Sequence, residues 1–264
     1  MPPSQRFPSL RAITFDFGNT LVPVSRADLR TVVDRMTAAI VGQLAGVHSD
    51  PFRIAWHEER DRQFAQEVPR LREVDLDRRM IRVLARLRGM PVPAMDAWWN
   101  DEAAARYSTA AEVAFAVDAY SRIFGEVIPP PPAVRPLLER LARSYRLAVL
   151  SNWPLASTID AYVEAAGWRP SLAAVVVSQR VGTIKPDPRI FRAAEHELGV
   201  DSGAILHVGD DWAADIVGAR GAGWLAAYLR GQQANSALPA SRPDGSVKAD
   251  LELDALDELE AALA

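Results

Sequence analysis

Cysteine is absent from the 264-residue chain, which excludes disulfides, thiolate metal sites and a cysteine nucleophile. Histidine is scarce, with four scattered residues, so a histidine-built metal centre is not expected. Lysine is scarcer still. Of 30 basic residues only Lys185 and Lys248 are lysines, so chemistry that needs an amine has two places to occur. Long apolar runs are also missing: nothing approaches the roughly 18 residues of a membrane span, and Met1 to Leu10 lacks the apolar stretch of a secretion signal. A net charge of −4 gives no basic surplus to recruit nucleic acid or an anionic membrane. What is present, 49% hydrophobic and 24% charged residues, is the composition of a globular protein of about two packing units. The expectation is a cytoplasmic protein, monomer or homodimer, whose partner is a small molecule.

Five short apolar runs each end in polar or glycine residues. They are Arg11 to Phe17, Arg146 to Leu150, Ala173 to Val177, Ala204 to Val208 and Trp224 to Leu229. Continuous rather than alternating hydrophobicity predicts strands buried on both faces. Between them, Ala133 to Ser144, Leu155 to Ala166, Pro188 to Leu198 and Ala213 to Ala222 read as helices. The alternation predicts an α/β fold with a Rossmann-like, doubly wound parallel sheet, in which ligands bind at the carboxyl ends of the strands. Asp16, Ser151 and Asp210 all fall at such ends. More than a hundred residues separate the first two strands, too many for a simple crossover. Within them Ala27 to Leu44, Pro51 to Glu67, Asp75 to Arg88 and Ala103 to Phe124 carry apolar residues at helical spacing, predicting an inserted all-helical subdomain. The expected division is a core of residues 1–21 and 131–264 with a helical insert of 22–130. Asp250 to Ala264 should return to an edge strand and a final helix.

The strand ends collect the chemistry. Asp16, in FDFGNTL, either caps a turn or serves as a carboxylate nucleophile that forms a covalent ester. Ser151 and Asn152 either cap the next helix or offer a hydroxyl and backbone N–H groups to an anion. Lys185, in GTIKPDPRIF, is either a surface lysine or a compact ammonium placed to offset the charge of a carboxylate and a phosphoryl group. Asp210, Asp211 and Asp215 set three carboxylates within seven residues at a strand-to-helix turn. Capping explains one of them; three together repel unless a cation intervenes, and Mg²⁺ is the natural hard partner. Asp215, about a turn further on, could instead hold Lys185.

These four stations in this order resemble the haloacid dehalogenase-like hydrolase superfamily, with FDFGNTL, LSN, IKPDPRIF and HVGDDWAAD as its four motifs. The resemblance implies that the helical insert is a cap of the C1 type closing over the site. By position it implies Asp16 as nucleophile, Ser151 as a ligand of the transferring group beside Thr20 and Asn152, and Lys185 as the stabiliser of charge. It implies Mg²⁺ held by Asp16, a backbone carbonyl at Gly18, and Asp210, with Asp211 and Asp215 in supporting roles. The reading is a Mg²⁺-dependent phosphatase acting on a small phosphorylated metabolite.

One position departs from the family pattern. Two residues after the nucleophile the family's phosphatases usually carry a second aspartate, which protonates the leaving group and then activates water; here it is Gly18. Such proton transfer is worth about 10² to 10⁴-fold in rate. Its absence implies a slower enzyme, a good leaving group, or another base, for which His48, His57 and Glu58 of the insert are candidates. The family's 2-haloacid dehalogenases also lack that aspartate, but they do not need the metal that the acidic cluster implies. Its phosphonoacetaldehyde hydrolases need a cap lysine, and residues 22–130 contain none. A non-catalytic binding protein on the same fold is the remaining alternative. Arg53, Trp56, His57, Arg60, Trp98 and Trp99 are the insert's candidates for substrate choice.

Overall fold

The computed structural model describes residues 6–94, 108–230 and 236–264. In chain order its main elements are β1 (Ala12–Phe15), α1 (Arg26–Gln43), α2 (Ser49–Glu67), α3 (Leu76–Leu87), α4 (Ala110–Val127), α5 (Val134–Leu141), β2 (Arg146–Ser151) and α6 (Ala156–Ala165). There follow β3 (Ala174–Val177), α7 (Ser178–Val181), α8 (Pro188–Leu198), β4 (Ile205–Gly209), a π-helical segment (Trp212–Val217) continued by α9 (Gly218–Gly221), β5 (Leu225–Leu229), β6 (Leu251–Leu253) and α10 (Leu259–Leu263). Among the described residues no helix is long and apolar enough to cross a membrane.

The six strands form one parallel sheet in the order β3-β2-β1-β4-β5-β6. The predicted doubly wound fold is therefore the observed one. The strands are apolar throughout because both faces are covered. Ile13, Phe15, Leu147, Val149, Leu206 and Val208 pack into the larger core with α5, α6 and α10. On the other face Ala12, Ala148, Leu150 and Ile205 pack against Ile190, Phe191, Ala194 and Leu198 of α8. Helix ends follow local chemistry. Ser25 and Thr109 start α1 and α4 with reciprocal capping boxes to Asp28 and Glu112, and Asp187 caps α8, whose first residue is Pro188. Gly199, at φ 59°, ends α8 in the left-handed conformation that glycine adopts without steric cost.

Strand order fixes where a site can lie. β1 is hydrogen-bonded to β2 on one side and β4 on the other, with Phe15 level with both Val149 and Val208. The chain leaves β1 toward β2 and β3, then crosses back to β4. The crevice above the carboxyl end of β1 is thus the switch point of the sheet. Asp16 is the next residue after β1, and its N–H donates to Val208 O at 2.9 Å.

Phe17 ties that strand end to the helical insert. Fully buried, it lies 6.4 Å from Phe124 of α4, 5.5 Å from Trp153 and 5.1 Å from Tyr162 of α6, centroid to centroid. The last two contacts are edge-to-face. Within the insert, α1 packs on α4 and α2 on α3, while α4 also packs on α6. The backbone beside Asp16 is thereby wedged between insert and sheet. Phe17→Ala is expected to cost about 3–5 kcal/mol of folding free energy. Urea unfolding monitored by tryptophan fluorescence measures it, and a loss under about 1 kcal/mol would contradict the wedge.

Candidate active site

Three strand ends and the loop that carries Lys185 converge on Asp16. Lys185 Nζ donates to Asp16 Oδ1 at 2.8 Å, to Asp215 Oδ1 at 2.6 Å and to Leu150 O at 2.8 Å. An ammonium has three N–H donors, and all three are used. The lysine side chain is 1% exposed, so the sequence's choice between surface lysine and buried ammonium resolves to the latter. Its backbone is clamped by Asn152. The amide Oδ1 accepts from Lys185 N at 2.7 Å and Nδ2 donates to Lys185 O at 3.1 Å. Asn152, expected at the substrate, has its side chain committed to holding the lysine loop.

Asp215 anchors the other end. Its Oδ1 also meets His207 Nε2 at 3.1 Å, and its Oδ2 accepts from Asp211 N at 2.9 Å. Burial opposes its charge, yet the Lys185 ammonium and His207 hold its carboxyl far below the ordinary range. Because Asp215 is ionised and accepts only, His207 carries its proton on Nε2, and Nδ1 accepts from Thr14 Oγ1 at 2.8 Å. Burial and the lysine charge keep the imidazole neutral by lowering its pKa. Sequence reasoning passed over Thr14 and His207. The available signal was a histidine inside the apolar run Ile205 to Val208, where a polar side chain needs a buried partner.

The remaining carboxylates divide. Asp16, Asp210 and Asp215 bring one oxygen each within 4.8 Å of one another. Burial pushes Asp16 up to about 7 against the pull of Lys185, and burial with the charges of Asp16, Asp215 and Asp211 pushes Asp210 up to about 8. A single ammonium shared among three close carboxylates leaves excess negative charge, the donor set that a hard divalent cation fits. Asp215 has both oxygens engaged, so Asp16 and Asp210 are the better-placed ligands. Asp211 does not join the cluster. Its Oδ1 accepts from Ala214 N at 3.1 Å and from Ser241 Oγ, so it caps the π-helical segment. Capping was the alternative that the sequence allowed for one of the three.

Thr20 Oγ1 donates to Asp210 Oδ1 at 3.4 Å, and Thr20 is buried with it. Ser151, at the end of β2, is 1% exposed, and its Oγ has no hydrogen-bond partner among the described residues. A hydroxyl buried without a partner is costly unless it serves a ligand. Gly18 lies beside Asn19, whose φ of 60° turns the chain sharply after the strand.

The insert's candidates have structural partners. Trp56 is buried, stacked on Phe52 at 6.1 Å, with the Arg79 guanidinium 4.9 Å from its ring centre. Glu58 pairs with Arg86, Arg53 with Asp34, and Arg60 lies over Phe64. His48 precedes α2 and His57 is exposed on it. Trp98 and Trp99 lie outside the described residues.

Comparison with known proteins agrees with this layout. A family profile described as haloacid dehalogenase-like hydrolase matches residues 10–223. The chain is 39% identical over 114 residues to the (S)-2-haloacid dehalogenase of Pseudomonas sp. (strain YL), covering 42% of this chain and 46% of that protein. It is 27% identical over 251 residues to the glyceraldehyde 3-phosphate phosphatase of Methanopyrus kandleri, covering 95% of each. The match spans about half the length of the first curated relatives. Among solved structures, the 2-haloacid dehalogenase of Pseudomonas syringae pv. tomato superimposes with a TM-score of 0.65 at 23% identity, over 96% of this chain and 98% of that one.

The raised pKa values of Asp16 and Asp210 set a pH dependence. The folded state of the metal-free protein keeps these protons at pH values where the unfolded chain has already lost them, so stability falls as pH rises toward about 7 and 8 and levels off once they have left. Below about 6.5 His207 acts in the opposite sense, because the unfolded chain binds its proton. The melting temperature in chelator is therefore expected to fall between about pH 6.5 and 8 and to level off above, with a gentler fall in Asp210→Asn. A melting temperature that rises over this window in the wild type would contradict the assignment.

Proposed function

Because the chain belongs to the haloacid dehalogenase-like hydrolases, we propose that it is a Mg²⁺-dependent phosphatase acting on a small phosphorylated metabolite through an aspartyl-phosphate on Asp16. The observation that carries the reading is the partly buried Asp16 beside the buried Asp210, with a single, already saturated ammonium among the nearby carboxylates. Such a pair supplies two hard oxygen ligands where a dianionic phosphoryl group has to be neutralised. Asp16 and Asp210 would hold the ion, which supplies Lewis-acid neutralisation of phosphoryl charge when bound. The α1–α4 insert serves as the cap.

Each side chain then has a defined task. Lys185 keeps Asp16 oriented and favours its anionic form, while Asp215, His207 and Thr14 hold Lys185 in line. The free Asp16 oxygen attacks phosphorus, the bond to the leaving oxygen breaks, and that oxygen keeps the electron pair. Ser151, whose hydroxyl is unspent, donates to a phosphoryl oxygen as charge moves onto it. Water then cleaves the aspartyl-phosphate, releasing phosphate and restoring the carboxylate.

A second reading has its own support. Gly18 supplies no acid, and a halide leaves without one, so a 2-haloacid dehalogenase reaction on Asp16 requires no change of nucleophile. A dehalogenase, however, has no use for the excess carboxylate charge at Asp210.

Hydrolysis of an aryl phosphate and of 2-chloropropionate, each with Mg²⁺ and with chelator, separates the two. Phosphate release that requires Mg²⁺, falls to background in Asp16→Asn and drops about 10² to 10³-fold in kcat in Ser151→Ala is expected. Chelator-resistant chloride release, with no phosphate release, would overturn the phosphatase in favour of the dehalogenase. No turnover of either would favour a binding protein.

A further inference from the structure

The segment 236–244 crosses the carboxyl edge of the sheet. At its near end Ser236 pairs with Ser25 across an antiparallel bridge, and its Oγ accepts from Asn19 Nδ2 at 2.8 Å. Its carbonyl accepts from Arg26 Nε at 3.0 Å. At its far end Ser241 Oγ accepts from Ala213 N at 2.6 Å, and Asp244 Oδ1 accepts from Trp212 Nε1 at 3.1 Å. Residues 236–244 are thus pinned at one end to the loop that follows the nucleophile and at the other to the turn that carries Asp210. Neither anchor involves a group used in the proposed chemistry.

Between the anchors sits Leu238. A Cβ built on Gly18 would lie 2.3 Å from Leu238 Cδ1, far inside contact, and 3.5 Å from Cζ3 on the hydrocarbon edge of Trp153. The missing side chain at position 18 is therefore not an empty place. An isobutyl group from a distant part of the chain fills it, packed against the main core. This changes the meaning of Gly18. The sequence alone presents a lost acid that an aspartate would restore; the structure presents a site rebuilt around an apolar wall.

We propose that Leu238, carried on the strap 236–244, is the specificity-determining residue on the leaving-group side of Asp16, and that it selects phosphate esters whose leaving oxygen departs unprotonated: aryl, enol or acyl phosphates over alkyl phosphates. This rests on Asp16 being the phosphoryl-accepting nucleophile. When the phosphorus–oxygen bond breaks, the electron pair stays on the leaving oxygen. A phenolate, enolate or carboxylate is stable as formed. An alkoxide has to take a proton in the transition state, and the isobutyl group of Leu238 has none to give.

The test compares wild type, Gly18→Asp, Leu238→Ala and the double variant Gly18→Asp/Leu238→Ala. The kcat/KM for an alkyl phosphate is divided by that for an aryl phosphate in Mg²⁺. Gly18→Asp alone is expected to leave this ratio within about threefold of wild type, since the terminal methyl of Leu238 must first turn out of the space the new side chain would enter, while the double variant raises it at least about tenfold. Equal gains in the single and double variants, or no gain in the double, overturn the proposal. A second readout does not depend on turnover. Gly18→Ala is expected to lower the melting temperature by about 2–4 °C through overpacking, and most of that loss should vanish when Leu238 is already alanine. Aryl phosphate hydrolysis without this thermal coupling overturns the strap and leaves the nucleophile standing. Thermal coupling without any phosphate hydrolysis by wild type overturns the phosphatase reading and the selectivity with it.

Discussion

The ammonium of Lys185 is the contact on which the site depends. It reaches Asp16 after β1, the carbonyl of Leu150 in β2 and Asp215 beyond β4, so one buried cation joins three strand ends of the sheet. A buried charge of this kind is stable only when each of its donors meets an acceptor, and it loses that stability if one partner is removed. Asn152 fixes the backbone of the lysine, and His207 with Thr14 fixes Asp215. Hydrogen bonds are thus spent in series on the position of one carboxylate oxygen. The consequence is electrostatic. One lysine stands among the three carboxylates Asp16, Asp210 and Asp215, and burial makes the excess charge expensive, which pushes Asp16 and Asp210 up.

Much of this was legible in the sequence. The continuous apolar runs gave the strands because strands covered on both faces leave no place for alternation. Asp16, Ser151 and Asp210 stand at strand ends as read, because the apolar runs stop where the strands do, and the loop before α8 brings Lys185 to them. Local signals set two helix starts well, whereas the helix read from Ala103 begins at Ala110, residues 103–107 lying outside the described residues. Ser25 with Asp28, and Asp187 with Pro188, mark the starts of α1 and α8 within a residue of the reading. The segment read as one helix over 213–222 is instead a π-helical turn running into a short α-helix. Capping by Asp211 starts that turn and takes the residue out of the acidic cluster.

What the sequence concealed was pairing across distance. Asn152 and Lys185 are far apart in the chain, and nothing in either neighbourhood says that an amide grips a lysine backbone instead of a substrate. Leu238 is harder still, since it lies in a stretch whose composition reads only as loop. Its importance appears when position 18 is given a Cβ and the two are found to claim the same space. A glycine that composition presents as a deficit is, in three dimensions, half of a fitted contact.

The account's central claim is that Asp16 and Asp210 hold protons near neutrality because one lysine cannot balance the charge of both when ionised, and that a divalent cation takes the place of those protons. Calorimetric titration of Mg²⁺ into the metal-free protein at pH 7, repeated in buffers of different ionisation enthalpy, addresses it directly. The account predicts one ion bound per chain with release of protons, because both carboxyls hold theirs near neutrality, and binding weakened at least about tenfold in Asp210→Asn. Mg²⁺ binding without proton release and unchanged in Asp210→Asn, or no binding at all, would contradict it.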